Sequence, residues 1–186
     1  MKQFILLLII TATLFSSCTK EQDPFMVSKQ NIGLLNDSTQ VKDLNSVFAN
    51  DSVVKFIKGD EFTGNPNDIT VYEKGGKKLL ILTPSQSLDS TSTVKSIRVM
   101  DERYKTPKGL TNTSTFKSIK DNYTISGIQN TLRSIIVSAN EVNAYFTIDK
   151  SELPAEMRFD MNLKIEALQI PAEAKIKDFY LYWTDK

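Results

Sequence analysis

A seven-residue string that occurs twice constrains the fold of this 186-residue chain more than any other feature. Gly33–Thr39 (GLLNDST) and Gly109–Thr115 (GLTNTST) match at five of seven positions without a gap. If Gln40 is deleted, the match continues with the i, i+3, i+7 spacing of one helical face. The matched apolar positions are Val41, Leu44 and Phe48 in the first copy and Phe116, Ile119 and Tyr123 in the second. The sequence therefore predicts an internal duplication with a short helix after each string.

A hairpin pattern follows each expected helix. In the first copy, Ile69–Tyr72 and Leu79–Leu82 flank a Lys-Gly-Gly-Lys turn signal at 74–77. In the second copy, Ile135–Ser138 and Val142–Ile148 flank a three-residue connection. The Asn, Ser and Thr residues of the repeated string are expected to cap the free amides of the helix that follows.

Four further stretches read as strands: Ser52–Ile57, Val94–Met100, Met161–Ala167 and Phe179–Trp183. A short helix that feeds antiparallel strands, twice, predicts an α+β fold. We expect two helix-plus-hairpin repeats in one antiparallel sheet, with short helices packed on one face. The single domain should cover 30–186, with repeats at about 32–100 and 108–186.

The N-terminus has the parts of a secretory signal peptide. Lys2 supplies one positive charge, Phe4–Phe15 is an apolar run of 12 residues, and small residues precede Cys18. The run is too short for a transmembrane helix, which needs about 20 residues. Leu14–Cys18 (LFSSC) resembles the lipobox of bacterial lipoproteins, in which the cysteine is acylated before cleavage ahead of it. It departs from the commonest lipobox by Phe15 and Ser17.

The lipobox resemblance implies that 1–17 is removed by cleavage between Ser17 and Cys18. It also implies a lipid anchor on Cys18, labelled by palmitate, through which the protein binds the membrane. Residues 18–29 are expected to be the lipidated cysteine and a flexible tether, because this stretch is polar and lacks periodicity. Thr19, rather than aspartate, follows the cysteine, which favours the outer membrane and leaves open the periplasmic or surface leaflet.

Residue usage excludes several functional classes. The chain has no histidine and one cysteine, so Ser-His and Cys-His catalysis, His-ligated metals and internal disulfides are excluded. Without Lys2, the 23 basic residues become 22 and equal the 22 acidic residues. A net charge of zero gives no basic footprint for nucleic acid.

Tandem helix-plus-hairpin repeats that open with a glycine turn resemble bacterial envelope proteins of the beta-lactamase-inhibitor-like kind and other secreted lipoproteins built on similar repeats. The resemblance covers roughly 32–149 and rests on pattern rather than on a diagnostic motif. It implies a non-catalytic binding or envelope role, and no interface residue carries over from it.

Catalytic motifs give no assignment. Ser-x-x-Lys, the nucleophile arrangement that needs no histidine, occurs after the expected cleavage site at Ser52/Lys55, Ser92/Lys95 and Ser114/Lys117, which is no excess over chance for this composition. Carboxylate pairs such as Asp60/Glu61, Asp101/Glu102 or Glu141/Asp149 could hydrolyse a glycosidic bond, but a chain with 22 acids offers many such pairs. We therefore predict no catalytic, cofactor-binding or metal-binding residues.

Two patterns remain as candidate sites. Asp-Ser-(Thr/Val) at Ser38, Ser52 and Ser90 resembles O-glycan acceptor sites of some bacterial periplasms, with turn formation as the alternative. The aromatic stretch Phe179–Trp183 predicts either a partner- or carbohydrate-binding strip or, preferably, a central strand buried on one face. The sequence thus favours a non-enzymatic envelope lipoprotein that binds an envelope protein or glycan. A carboxylate-dependent hydrolase of cell-wall or carbohydrate material is the alternative.

Overall fold

Helices are a minor part of this fold. The structure is a computed structural model that describes residues 22–55 and 67–183. The α-helices are α1 (Leu44–Val47), preceded by a 3-10 turn at Val41–Asp43, and α2 (Phe116–Asn122). Further 3-10 turns are Asn140–Val142, Lys150–Glu152, Ala155–Met157 and Ala167–Gln169. In these ranges no helix has the length and apolar character that crossing a bilayer requires.

Antiparallel strands build most of the described molecule. They are β1 (Asn31–Ile32), β2 (Leu35–Asn36), β3 (Ser52–Lys55), β4 (Ile69–Tyr72), β5 (Lys78–Pro84), β6 (Val94–Val99), β7 (Gly127–Asn130), β8 (Ser134–Ala139), β9 (Ala144–Asp149) and β10 (Ile176–Tyr182). Strands β1 and β2 form a small ribbon. The others form an eight-stranded sheet in the order β3-β4-β5-β6-β10-β9-β8-β7. The α+β prediction is confirmed at this level.

The large sheet consists of two four-stranded meanders, each preceded by a helix, and we call them the first and the second unit. Helix α1 precedes the meander β3-β4-β5-β6, and α2 precedes β7-β8-β9-β10. The two meanders join edge to edge through antiparallel pairing of β6 with β10, where Arg98 lies opposite Tyr180. Because the last strands of both units meet, the sheet has equivalent strands at equal distances from its centre.

The core lies on one face of the large sheet. Alternate residues of the inner six strands are buried there, apart from the register shifts in β5, β6 and β10; Leu82, Ile97, Phe146 and Phe179, for example, are fully buried. The helices contribute their apolar stripes to the same core: Val41, Leu44 and Phe48, and Phe116, Ile119 and Tyr123. The described helices therefore cover the inward face, and their stripes are those that the repeat spacing predicts.

The expected helix caps are wrong. The N-cap residues are Gln40 and Asp43 for the first helical segment and Thr115 for the second, and none of their side chains accepts a hydrogen bond from a helix amide. Instead, backbone carbonyls take the first amides: Val41 N donates to Ser92 O at 3.0 Å and Phe116 N donates to Ala174 O at 2.8 Å. The next amides are bonded in the same way: Lys42 N donates to Ser90 O and Lys117 N donates to Ala172 O, each at 2.8 Å. The segments entering β6 and β10 thus satisfy the orphan donors of the helices.

The repeated string also has a different register from the ungapped match. Asn36 N donates to Thr39 Oγ1 at 3.2 Å, and Thr111 N donates to Ser114 Oγ at 3.0 Å, so these two turns correspond. A side chain at position 33 is excluded by a close contact, because a Cβ there would lie 2.2 Å from Pro24 O. A Cβ on Gly109 would meet nothing within 4 Å. Both glycines have a positive φ, 55° at Gly33 and 79° at Gly109, and Gly33 is constrained by the close contact in addition.

Two strand predictions need correction. Met161–Ala167 forms no strand, although its alternating pattern suggested one. Its carbonyls are bonded instead by the Asn130 side chain, which donates to Asp160 O and Leu163 O, each at 3.0 Å. In contrast, β7 has weak apolar alternation and was not expected. Strand β7 forms because its backbone pairs with that of β8.

The expected tether is shorter than 18–29. Val27 is fully buried, and its amide donates to Lys105 O at 2.8 Å. The Phe25 ring packs edge-on against Tyr104 at 5.1 Å. The sequence did not show this because the apolar run Phe25–Val27 after Pro24 is too short to have a periodicity, although Val27 belongs to the core and Phe25 packs against it.

Candidate binding face of the sheet

The outward face of the eight-stranded sheet is the candidate site, and we call it the open face. None of its residues is fully buried, in contrast with their neighbours on each strand. Its members include Val54, Thr70, Tyr72, Ile81, Thr83, Ser96, Arg98, Ile136, Ser138, Tyr145, Thr147, Asp178, Tyr180 and Tyr182. No described helix packs on this side. The protein thus presents a broad, polar and aromatic sheet surface.

A ladder of side chains crosses the centre of the open face. Register places Ile81, Arg98, Tyr180, Tyr145 and Ser138 opposite one another on five neighbouring strands. The Tyr145 and Tyr180 rings stack with centroids 4.7 Å apart and an interplanar angle of 8°. Arg98 Cζ lies 5.9 Å from the Tyr180 ring centroid. The ring faces of Tyr145 and Tyr180 are thus engaged within the ladder, and the Tyr145 side chain also forms a hydrogen bond with Ser96.

Asp178 fixes the orientation of the ladder. A register shift between Ile176 and Asp178 brings its carboxylate to the open face. There it forms an ion pair with Arg98 and accepts a hydrogen bond from Thr147 Oγ1 at 2.8 Å. Because Asp178 is itself held by Thr147, its ion pair fixes the Arg98 guanidinium in position over the Tyr180 ring.

A cleft of about 240 Å³ lies at one end of the open face. It is lined by Ser138, Asn140, Asn143, Ala144, Tyr145 and Tyr182. Tyr182 is 40% exposed, and Lys95 Nζ lies 5.7 Å from its ring centroid. The cleft therefore offers amides and hydroxyls beside aromatic surface.

Protonation of the tyrosines follows from their surroundings. Burial raises the pKa of Tyr145, and burial likewise raises the pKa of Tyr180. Both phenols therefore keep their protons at neutral pH, and each supplies a hydrogen-bond donor as well as an acceptor. A polar ligand would meet neutral hydroxyls here rather than phenolates.

The aromatic stretch Phe179–Trp183 divides between the two faces. Phe179 and Leu181 are fully buried, and β10 lies between β6 and β9, so the central-strand prediction is confirmed. Tyr180 and Tyr182 stand on the open face. The functional and structural interpretations of this stretch therefore apply to alternate residues of one strand.

A second polar cluster, the N-terminal clasp, holds Phe25 at one end of the sheet. The Arg103 guanidinium binds Glu73 through two hydrogen bonds of 2.8 and 3.0 Å and binds Asp101 at 2.7 Å. Lys77 Nζ lies 3.0 Å from the same Asp101 carboxylate, which is 0% exposed. Arg103 Cζ also lies 4.5 Å from the Phe25 ring centroid.

The clasp keeps its buried carboxylate charged. Burial alone would raise the pKa of Asp101, but hydrogen bonds from Arg103 and Lys77 outweigh it and hold that pKa well below its usual range. The hydrogen bond from Arg103 also lowers the pKa of Glu73. The cluster is thus a fixed ionic lock rather than an acid poised to donate a proton.

The other carboxylates from the sequence are dispersed. Asp60 and Glu61 lie outside the described residues. Glu141 and Asp149 lie at opposite ends of β9. Backbone hydrogen bonds, from Thr124 and Ser151 respectively, lower the pKa of Glu141 and bring that of Asp149 to about 2.

Asp51 is a described carboxyl group whose pKa is raised, first by burial and then by the charge of Glu73. It was not singled out from the sequence, because only its position beside the clasp distinguishes it from other acids.

The three expected O-glycosylation sites are all on the surface. Ser38, Ser52 and Ser90 are exposed. The Ser38 hydroxyl donates to Asn36 Oδ1 at 2.7 Å, so it also has the turn function that was its alternative. The lipidation residue Cys18 and the cleavage residue Ser17 lie outside the described residues.

Sequence reasoning missed Arg98, Tyr145 and Asp178. Each occupies the outward position of a strand whose inward neighbours are apolar. The signal was therefore present in the alternate polar positions of β6, β9 and β10. The cross-strand register was needed to show that these residues lie side by side in a ladder.

The fold and site define an α+β protein with one antiparallel sheet open on its outward face. No protein-family model matches the chain, and no curated protein matches it. Among solved structures it is similar to the uncharacterized protein yfeY from Escherichia coli, with a TM-score of 0.50 and 17% identity. The similarity covers 85% of this chain and 99% of that one. At this identity the likeness concerns the fold alone.

Proposed function

We propose that this chain is a lipid-anchored bacterial protein of the outer membrane that binds a partner protein through the open face of its sheet. The signal-like N-terminus and the lipobox-like LFSSC segment support the anchor. Support for the position of the anchor comes from the clasp, because ordered packing already begins at Phe25, a few residues after Cys18.

The open face is the observation that carries the binding role. A large sheet that packs on one side only leaves Tyr145, Tyr180, Tyr182 and Arg98 on a single surface. Tyrosine and arginine are enriched where proteins bind one another, because each combines apolar area with a hydrogen-bonding end. The Asp178 bonds also fix Arg98 in place, which reduces the entropy that binding would cost.

A protein partner fits this surface better than a glycan does. Sugar rings bind proteins by stacking on free aromatic faces. Here the Tyr145 and Tyr180 faces contact each other, and Arg98 lies over Tyr180. What this surface offers instead is tyrosine hydroxyls and the Asp178-bound guanidinium of Arg98, groups that can exchange hydrogen bonds with the polar groups of a protein surface.

We further propose that the two units arose by duplication. The helix-start bonds support this, since Val41 N to Ser92 O in one unit matches Phe116 N to Ala174 O in the other. Isolated bridges before each helix match as well, Gln40 with Thr93 and Thr115 with Lys175. In both comparisons, the residue at the helix start in the first unit lies 75 positions before its counterpart in the second unit. The partner residue that precedes the last strand lies 82 positions before its counterpart.

The alternative, a carboxylate-dependent hydrolase, has less support. A general acid needs a raised pKa, but the pKa values of Asp101, Glu141 and Asp149 are lowered. Asp51 is the residue on which to test it. Turnover of peptidoglycan or glycan that is abolished by Asp51→Asn would favour the hydrolase over the binding role.

Site-specific crosslinking in intact cells tests the binding role. A photoreactive phenylalanine analogue at Tyr182 should give one discrete crosslinked product, and the same analogue at Leu34, 50% exposed in the β1–β2 connection, should not. A product of equal yield from both positions, or from neither, contradicts a partner on the open face.

Metabolic labelling with palmitate tests the anchor separately. Label should enter the protein and disappear in the Cys18→Ala variant. Label that persists in that variant contradicts lipidation at Cys18.

A further inference from the structure

A basic and apolar surface lies at the end of the sheet where the clasp is, outside the open face. Leu132, in the β7–β8 connection, is 73% exposed, and Phe159 is 88% exposed. Both line a cavity of about 370 Å³ together with Arg133, Asp149, Lys150, Ser151 and Arg158. We call this surface the basic end. Exposed large apolar side chains beside cations are typical of surfaces that contact a membrane.

Lys150 places a buried ammonium group at the basic end. The residue is only 5% exposed. Within 22–55 and 67–183 its ammonium has no carboxylate in ion-pair range, and its polar contact is the Met161 sulfur at 3.7 Å. A buried ammonium next to a weak acceptor is costly unless an anion completes it. The cavity beside it is where such an anion would bind.

The surrounding charges favour an anion in the cavity. Arg133 and Arg158 also line it, and neither forms an ion pair among the described residues. Arg158 Nε donates to Leu153 O at 2.8 Å, which holds the side chain in place. The lining carboxylate, Asp149, is already bound by Lys177 at 2.9 Å. The cations of this cavity therefore exceed its free acidic groups.

The basic end and the N-terminal clasp lie at the same end of the sheet. Val99 pairs with Phe179, Ile176 with Ile148, and Ser134 with Asp149, so these strand ends are neighbours. From β6 to β8 is three strand spacings, about 14 Å. The four residues that lead from Cys18 to Gln22 reach at most about 14 Å. A lipid on Cys18 would therefore hold this end of the domain close to the bilayer.

We propose that the basic end rests on an anionic phospholipid surface. Phe159 and Leu132 enter the headgroup region, while Lys150, Arg133 and Arg158 bind a lipid phosphate. The strands then stand away from the membrane, and the open face is directed sideways toward a partner. This inference rests on the proposed lipid anchor, which fixes the end of the domain that meets the bilayer.

Vesicle binding by an unacylated protein tests the contact. Residues 18–186 with Cys18→Ala should sediment with vesicles of phosphatidylethanolamine and phosphatidylglycerol and not with vesicles of phosphatidylcholine alone. Leu132→Ser with Phe159→Ser should weaken that binding about tenfold or more, because each side chain loses apolar transfer. Arg133→Gln with Arg158→Gln should weaken it as well, and more at low salt than at high salt.

Matched controls separate the surface from general effects. Leu88 is 100% exposed near the opposite end of the sheet, so Leu88→Ser should bind like the parent protein. Lys120→Gln removes one exposed charge on α2 and should also leave binding unchanged. Lys150→Met tests the buried cation. If this variant unfolds at a lower temperature, the double arginine variant still decides the outcome.

The outcomes are distinct from those of the anchor test. Vesicle binding that is equal in the parent protein and in the Leu132/Phe159 variant overturns the proposal, as does absence of binding to anionic vesicles. If inorganic phosphate binds while vesicles do not, the cavity is a soluble-anion site and the membrane contact is wrong. Palmitate incorporation at Cys18 would remain valid in each of these cases.

Discussion

The two units of the sheet agree on their inner faces and differ on their outer ones. Equivalent inward positions are apolar in both, as with Ile97 and Phe179 at the join, each fully buried. Outward, Ile81 and Arg98 of the first unit correspond to Tyr145 and Tyr180 of the second. The apolar alternation therefore specifies the fold twice, whereas the tyrosines that characterise the open face are concentrated in one unit.

The largest expected effect tests the shared inner face. Ile97→Ala should lower the free energy of unfolding by about 2–5 kcal/mol and Phe179→Ala by about 3–5 kcal/mol, because each leaves a cavity at the join. Urea denaturation of both variants is the measurement. A loss under about 1 kcal/mol for one and a large loss for the other would mean that the units do not share one core.

The next effect contrasts a buried carboxylate with an exposed ion pair. Asp101→Asn removes charged hydrogen bonds from a side chain that is 0% exposed and should cost about 2 kcal/mol. Lys177→Gln breaks the exposed pair with Asp149 and should cost about 0.5 kcal/mol or less. Thermal unfolding compares the two, and equal losses would contradict the clasp as an ionic lock.

The pH dependence of stability follows from the same carboxylate. Its pKa in the folded protein is depressed, so its contribution is present above the unfolded pKa of about 3.9 and is lost as pH falls below that value. The free energy of unfolding of the parent protein should thus decrease between about pH 5 and pH 2. In Asp101→Asn the decrease should be shallower, and an unchanged slope would assign it to other acids.

Most of the scaffold is readable from the sequence, because one-sided burial leaves period-two and helical spacings in the strands and helices. The spacing around Leu44 and Ile119 predicts both helical segments, and the Gly75-Gly76 turn predicts the first hairpin. The helix starts were not predictable, since their amides are bonded by carbonyls about 50 residues away along the chain. Neither was the ladder, which depends on register across five strands.

A smaller effect separates binding from stability on the open face. Tyr180→Ala removes a stacked ring that is only half-buried and should cost about 1 kcal/mol of unfolding free energy. The fold should be retained, because the backbone pairing of position 180 with Arg98 does not depend on the ring. The Tyr182 crosslink should nevertheless weaken severalfold in this variant. A crosslink of full yield would place the partner elsewhere.

The smallest effect lies in the links that lead to the last strands. Leu88 has a φ of 61° and is fully exposed, whereas Ile170, at the same distance before its strand, is buried with a φ of −83°. Leu88→Gly should therefore stabilise the protein by about 0.5 kcal/mol, because glycine accepts a positive φ without strain. Ile170→Gly should destabilise it clearly. A loss of stability in Leu88→Gly would show that this leucine has a packing role.

Thiol accessibility tests the open face most directly, because Cys18→Ala leaves a chain without cysteine. In that background, Ser138→Cys and Ala139→Cys place single thiols on opposite faces of β8, next to each other in the chain. We predict that the position 138 thiol reacts with maleimide in the native protein at nearly its unfolded rate, while the position 139 thiol reacts at least about a hundredfold more slowly. Equal protection of both thiols would mean that the outward face is covered, and this would contradict the account.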